Sequence, residues 1–188
     1  GLFAATSLLV FLRPDSNGVE AGTALRMDVP ELARRADLIV EARVLSLKAV
    51  EAGSGRIETE FLLEVERTLA GEDVPLRAVR LPGGILPDGR GMLLAGMPGL
   101  RVGESALLFL TAPSETGMRM PVGLAQGKLR IVTNQAGDKL VVRDAGPLGL
   151  VTPGSQGVHE AGGRVLPYAE VLAEIEAARA GALSGEQR

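Results

Sequence analysis

The sequence predicts a mainly β domain: a small antiparallel barrel or sandwich of about six strands, with a short N-terminal helix and a C-terminal amphipathic helix. Three observations carry that expectation. With 25 glycines and 11 prolines in 188 residues, backbone punctuation is denser than a helical bundle tolerates. Apolar and charged residues alternate at the period of a half-buried strand, most clearly over residues 57–69. Short apolar runs are separated by Gly, Asn, Asp and Ser clusters that turn a chain between strands. A hydrophobic content of 46% is enough to bury one core. The organisation expected is a segment over residues 1–24, one domain over 25–182, and a tail over 183–188.

The N-terminal run GLFAATSLLVFL is uncharged, stops at Arg13 and Pro14, and is shorter than the roughly 20 residues that cross a bilayer. It suits the apolar region of a secretory signal, and the small residues within the tripeptides 19–21 (VEA) and 22–24 (GTA) offer two cleavage sites. Residues 1–24 are therefore expected to be a signal remnant and linker, dispensable for the fold. Export without a single cysteine points to a bacterial periplasmic or extracellular location.

Asp28 with Glu31 three residues on, and Pro30 in the first turn, start a helix over about 29–36. Leu38, Val40, Ala42 and Val44 alternate with Glu41 and Arg43. Leu45 and Leu47 then shift parity, so a bulge is expected near Val44. Gly53, Ser54 and Gly55 turn that strand into the next, making an antiparallel hairpin. In the second strand Ile57, Thr59, Phe61, Leu63, Val65 and Leu69 share one face, and Glu58, Glu60, Glu64 and Glu66 the other. A third strand over 74–81 begins at an edge, because Pro75 cannot donate to a ladder. Ala106, Leu107, Leu108, Phe109 and Leu110 have two apolar faces and belong inside a sheet. Residues 129–132 and 140–142 flank the 134–138 turn as a second hairpin. Pro167 opens a helix whose stripe is Tyr168, Val171, Leu172, Ile175 and Ala178, with Gly181 as its stop. Two long stretches, 82–103 and 144–166, are rich in glycine and read as irregular.

Composition excludes much chemistry. A net charge of −3 with no Trp, one Tyr and four Phe leaves neither a basic footprint nor stacking platforms for nucleic acid. No Cys and a single His, His159, cannot supply a tetrahedral zinc site, so no metal and no cofactor are expected. His159 and Glu160 open like a zinc-protease helix but no second His follows, and no G-x-S-x-G elbow accompanies Ser155. His159 is read as a loop residue. The carboxylates Glu58, Glu60, Glu64 and Glu66 share one strand face, where alternate residues lie about 6.6–7 Å apart. Such a row can act as acid and base. As a solvated face opposite Arg43, Arg77 or Arg80 it lacks the apolar pocket that raises one pKa.

The string Ala36, Asp37, Leu38, Ile39, Val40, Glu41, Ala42, Arg43, Val44 is accompanied by Gly83 and Gly84, by Gly103 and Glu104 before Leu107, and by residues 122–128 (VGLAQGK). Together these resemble a family of uncharacterised exported bacterial proteins, some of whose relatives accompany a matrixin-type zinc protease. The resemblance covers about residues 28–144 and implies no assigned chemistry. The long second strand is also distantly similar to the OB-type barrel of netrin-like domains and tissue inhibitors of metalloproteinases, which implies an OB-like barrel. Those inhibitors act through an N-terminal cysteine, which this chain lacks.

The function these readings favour is an exported, non-enzymatic domain that binds a protein or cell-envelope partner. The alternatives are a hydrolase using the Glu row or Asp88, and a protease-associated inhibitory module. No catalytic residue is assigned. The expected binding residues are Arg90 and Met92 in the apolar loop 82–103, with Gln126 and Lys128 in the nearby turn. That loop either caps the sheet or meets a partner, since soluble monomers rarely leave such apolar content uncovered.

Overall fold

Antiparallel pairing dominates the computed structural model, which describes residues 23–143, 149–151, 158–160 and 163–185. In chain order the elements are β1 (Thr23–Leu25), α1 (Val29–Arg35), β2 (Leu38–Ala52), β3 (Arg56–Ala70), β4 (Leu76–Pro82), β5 (Gly84–Ile85), β6 (Gly91–Met92) and β7 (Ser105–Leu110). There follow β8 (Lys128–Thr133), β9 (Lys139–Arg143), β10 (Gly149–Val151), β11 (Val158–Glu160), β12 (Arg164–Pro167) and α2 (Tyr168–Gly185). Seven strands form one antiparallel sheet in the order β12, β9, β8, β7, β2, β3, β4. A ribbon of β5 and β6 and a small sheet of β1, β10 and β11 complete the strands.

The domain is mainly β, but the sheet stays open: among the described residues no pairing joins β12 to β4. The barrel expectation is corrected accordingly. The physical reason is that the core is closed by layers. On one face α1 and α2 bury Leu32, Val171 and Ile175 against Ile39, Leu107 and Phe109 of the sheet. On the other face Val40, Leu63, Val79 and Leu108 form a second core, over which Leu100 and Met97 fold back from the loop. With both faces covered, edge-to-edge closure adds little apolar burial. β7 is the hinge of this arrangement, with Leu107 and Phe109 in one core and Ala106, Leu108 and Leu110 in the other, as its two apolar faces predict.

Local signals hold closely. Asp28 caps α1 by accepting the Glu31 N–H at 2.7 Å, while the Glu31 side chain turns to Arg35 at 2.7 Å rather than closing a capping box. The β2–β3 hairpin pairs Ala52 with Arg56 across the 3₁₀ turn Gly53–Gly55. Its register slips between Val44 and Ser46, which makes Leu45 the extra residue and places the bulge beside Val44. Further slips near Glu66 and Leu69 transfer Leu69 to the helix-side core, against the expectation of a single face from Ile57 to Leu69. α2 buries Val171, Leu172, Ile175 and Ala178 as expected but runs through Gly181 to Gly185. One glycine costs a helix about 1 kcal/mol, and Ala180, Ala182 and Leu183 around it favour continuing.

The stretches read as irregular contain short strands, β5 paired with β6 and β10 with β11 inside them and β10 also with the remote β1. β5 and β6 lie within 82–103. β10 and β11 lie within 144–166, and β12 begins there and runs to Pro167, pairing residue for residue with β9. Thr23 and Ala24, assigned to the linker, belong to β1 and run parallel to Gly149 and Leu150. The apolar run 1–12 and the rest of the segment up to residue 22 lie outside the described residues, as does Ser155.

Candidate functional site

The second core face continues past the sheet's centre because of the bulge at Leu45. Beyond it Leu47 lies opposite Phe61 and Ala49 opposite Thr59, so these side chains extend the apolar face along the outer arms of β2 and β3. The loop 82–103 folds over this extension and leaves a groove of about 420 Å³ between the two. Close approach is possible because Gly84 has a φ of 144° and a Cβ there would strike the Thr59 hydroxyl. That hydroxyl donates to the Gly83 carbonyl at 2.7 Å, and the Gly83 N–H donates to Ile57 at 2.8 Å.

The loop does two jobs. Leu86 and Leu100 are buried and Met97 packs on the core, so part of it caps the sheet. Ile85 and Leu94 remain exposed, and Leu93 is 85% exposed at the groove mouth. Met92 lines the groove from β6, half-buried. Arg90 lies at the ribbon's tip, where it fastens the loop to the end of β2. Its guanidinium donates to Glu51 at 2.8 and 3.2 Å and to Asp88 at 2.9 Å. The hydrogen bond from this guanidinium holds the Glu51 carboxyl below its ordinary value. The Arg90 backbone N–H, at 3.0 Å, and then its guanidinium do the same for Asp88.

On the far side of the ridge formed by residues 97–99 lies a second, more polar hollow of about 800 Å³. Lys128 is opposite Leu108, and Arg130 is opposite Ala106, so both lie on the same sheet face as the apolar groove. The Lys128 ammonium donates to the Gly99 carbonyl at 2.6 Å and to Glu104 at 2.7 Å, which neutralises it and holds the ridge down. Arg101 and Arg130 line the same hollow, as does Val142 opposite Arg130. Neither guanidinium has an ion pair or hydrogen bond among the described residues.

Gln126 is fully buried and faces away from this surface. Its Oε1 accepts the Met27 N–H at 2.9 Å and Arg143 at 3.4 Å. Its Nε2 donates to the carbonyls of Leu25 at 2.9 Å and Gly123 at 3.3 Å. The Met27 and Leu25 bonds pin residues 25–27 onto the 3₁₀ turn Leu124–Gly127. The turn is tight: Leu124 has a φ of 59°, and a Cβ on Gly127 would lie 2.5 Å from the Val122 carbonyl oxygen. Of the four expected residues, Met92 and Lys128 line the two hollows, Arg90 braces the loop, and Gln126 braces the chain behind it.

The Glu row is not uniform. Glu60 and Glu64 are exposed, but Glu58 is 1% exposed, with Arg56 at 3.6 Å and Arg80 at 3.7 Å, and neither carboxylate oxygen accepts a hydrogen bond. The expectation of a solvated face fails at Glu58, while the charge pairing expected with Arg80 is present. A second buried carboxylate, Glu41, escaped sequence reasoning because it alternates correctly as a polar residue. It accepts from Lys139 at 3.0 Å and from the Tyr168 hydroxyl, where α2 leaves β12. Burial, and then the Glu41 carboxylate, push the Tyr168 hydroxyl well above its ordinary value; the Glu41 bond also raises Lys139. The Lys139 ammonium sits 5.2 Å from the Tyr168 ring centre. Neither carboxylate lines either of the two hollows above. The backbone of His159 is in β11, opposite Leu150, rather than in a loop.

Among the described residues no three His, Asp or Glu side chains gather as metal ligands, and no helix is long and apolar enough to cross a membrane. Comparison with protein-family models, with curated proteins and with solved structures finds no match for this chain.

Proposed function

We propose that the chain is an exported, non-enzymatic binding domain that engages a protein partner through the face built by loop 82–103 and Lys128. The observation that carries this is the apolar groove beside Leu93 and Ile85. The loop has enough apolar side chains to cap the sheet, yet it directs two large ones outward next to a preformed cleft. Rigid strands beneath and Arg90 at the tip hold that cleft open, which lowers the ordering cost of binding. Export rests on the apolar N-terminal run, and the absence of cysteine favours a bacterial compartment for an exported chain. The family resemblance to exported bacterial proteins agrees with that compartment. The likeness to OB-type barrels rests on the long second strand alone and brings no inhibitory mechanism with it.

The test is Leu93→Asp, at a side chain so exposed that the fold does not depend on it. An unchanged melting temperature with loss of a partner captured from the native envelope fraction is the expected result. Partner capture that survives both this change and Ile85→Asp would overturn the reading.

A further inference from the structure

We infer that the occupant of this face is a partner segment in which apolar side chains lie beside carboxylates. The apolar part sits in the groove under β5 and β6, and the carboxylates pair with Arg101 and Arg130. The inference rests on the docking reading above and adds the chemistry of the ligand.

Three observations lead to it. First, the apolar groove and the polar hollow share the wall formed by residues 97–99, so a single extended segment crossing that ridge meets both. Second, the cations of this face are not equivalent. Lys128 is held by Glu104 and Arg90 by Glu51 and Asp88, whereas Arg101 and Arg130 have no partner among the described residues. After Glu104 offsets Lys128, the hollow keeps two unneutralised guanidinium groups on a chain whose net charge is −3. Third, Arg130 emerges on the sheet face between Ala106 and Val142, where an apolar side chain would extend the core. Both guanidinium groups are exposed, so each is open to a two-pronged pairing with a carboxylate.

Other ligand classes fit less well. A small inorganic anion would leave the apolar groove empty. A nucleic acid would need stacking side chains and a longer basic track than two arginines provide. A second copy of the chain is the nearest competitor, since Glu60, Leu62 and Glu64 present an acidic and apolar strand face of their own, with Leu62 38% exposed.

The experiment selects randomised dodecapeptides displayed on phage against the full chain, against Arg101→Glu with Arg130→Glu, and against Ile85→Ser with Leu93→Ser. Selected peptides are then synthesised and titrated by fluorescence anisotropy at low and high salt. Peptides combining Leu, Ile or Phe with Asp or Glu should be enriched on the natural chain. Their affinity should fall at least tenfold on the double Glu variant and weaken with salt, and the Ser pair should abolish capture. A milder Arg101→Gln, Arg130→Gln pair gives the same reading if the Glu variant melts early. Enrichment of apolar peptides without acidic preference would overturn this inference and leave the docking reading standing. Peptides that bind equally well to the Ser pair, or no enrichment on any form, would overturn both. Self-association in sedimentation that the double Glu variant abolishes would replace the partner segment with a second copy.

Discussion

Replacing Gln126 with leucine separates a bracing residue from a binding one. Leucine keeps most of the side-chain bulk but removes every hydrogen bond the amide makes, so the change isolates polar satisfaction from packing. It strands the Met27 N–H and the Leu25 carbonyl, leaves the Gly123 carbonyl with only the backbone N–H of residue 126, and frees an Arg143 contact already long at 3.4 Å. A buried group left without a partner costs about 1–3 kcal/mol. Leu25 is 56% exposed, so water can reach its carbonyl and relieve part of that cost, and Gln126 itself is 0% exposed. The expected loss is about 2–4 kcal/mol, concentrated where residues 25–27 meet the turn. Urea melts should show a lower midpoint at unchanged slope, and hydrogen exchange should show faster loss of the Met27 amide. Capture of a partner at a temperature where the variant remains folded should not change. A loss below about 1 kcal/mol with the Met27 amide still protected would refute the bracing role.

Tyr168 is the sole tyrosine and there is no tryptophan, so ultraviolet titration reads this residue alone; its midpoint should lie above the ordinary value near 10. Because its folded pKa is raised, the stability it contributes is complete below pH 10 and is lost as pH climbs through the folded value; Tyr168→Phe should flatten that part of the melting profile. Leu63→Ala and Phe61→Ala should each cost about 2–5 kcal/mol by opening cavities in the second core, while Glu60→Ala should cost under about 1 kcal/mol, and equal losses in denaturant melts would show the strand phase to be wrong. Gly127→Ala should lower stability by about 2 kcal/mol or more, because the Val122 carbonyl is backbone and cannot move aside; an unchanged thermal melt would show that the turn is looser than drawn.

What could be read from the sequence follows the range of the interaction. Asp28 capping α1, the parity change that marks the bulge at Leu45, the turn at Gly53 and the two-faced β7 depend on neighbours within a few positions, so their residues state them directly. So did the division of loop 82–103 between capping and exposure, as a pair of alternatives that the apolar content posed without resolving. Tertiary structure decided the rest. β1, β10, β11 and β12 are too short to show a period; β1 and β10 exist because they pair across more than 120 residues of chain, and β11 and β12 because β10 and β9 offer them edges. Glu41 and Glu58 alternate as exposed residues would, and are buried only because α2 and the neighbouring arginines arrive from elsewhere in the chain. The open sheet depended on helices covering one face and a loop the other, a choice between closure and layering that no local pattern encodes. Gln126 is expected from the sequence at a binding face, whereas Arg130, four residues on, is not singled out. Only the path of residues 25–27 turned the first into a buried brace and left the second facing the hollow, because hydrogen-bond satisfaction is settled by what the fold brings within 3 Å or so and not by sequence distance.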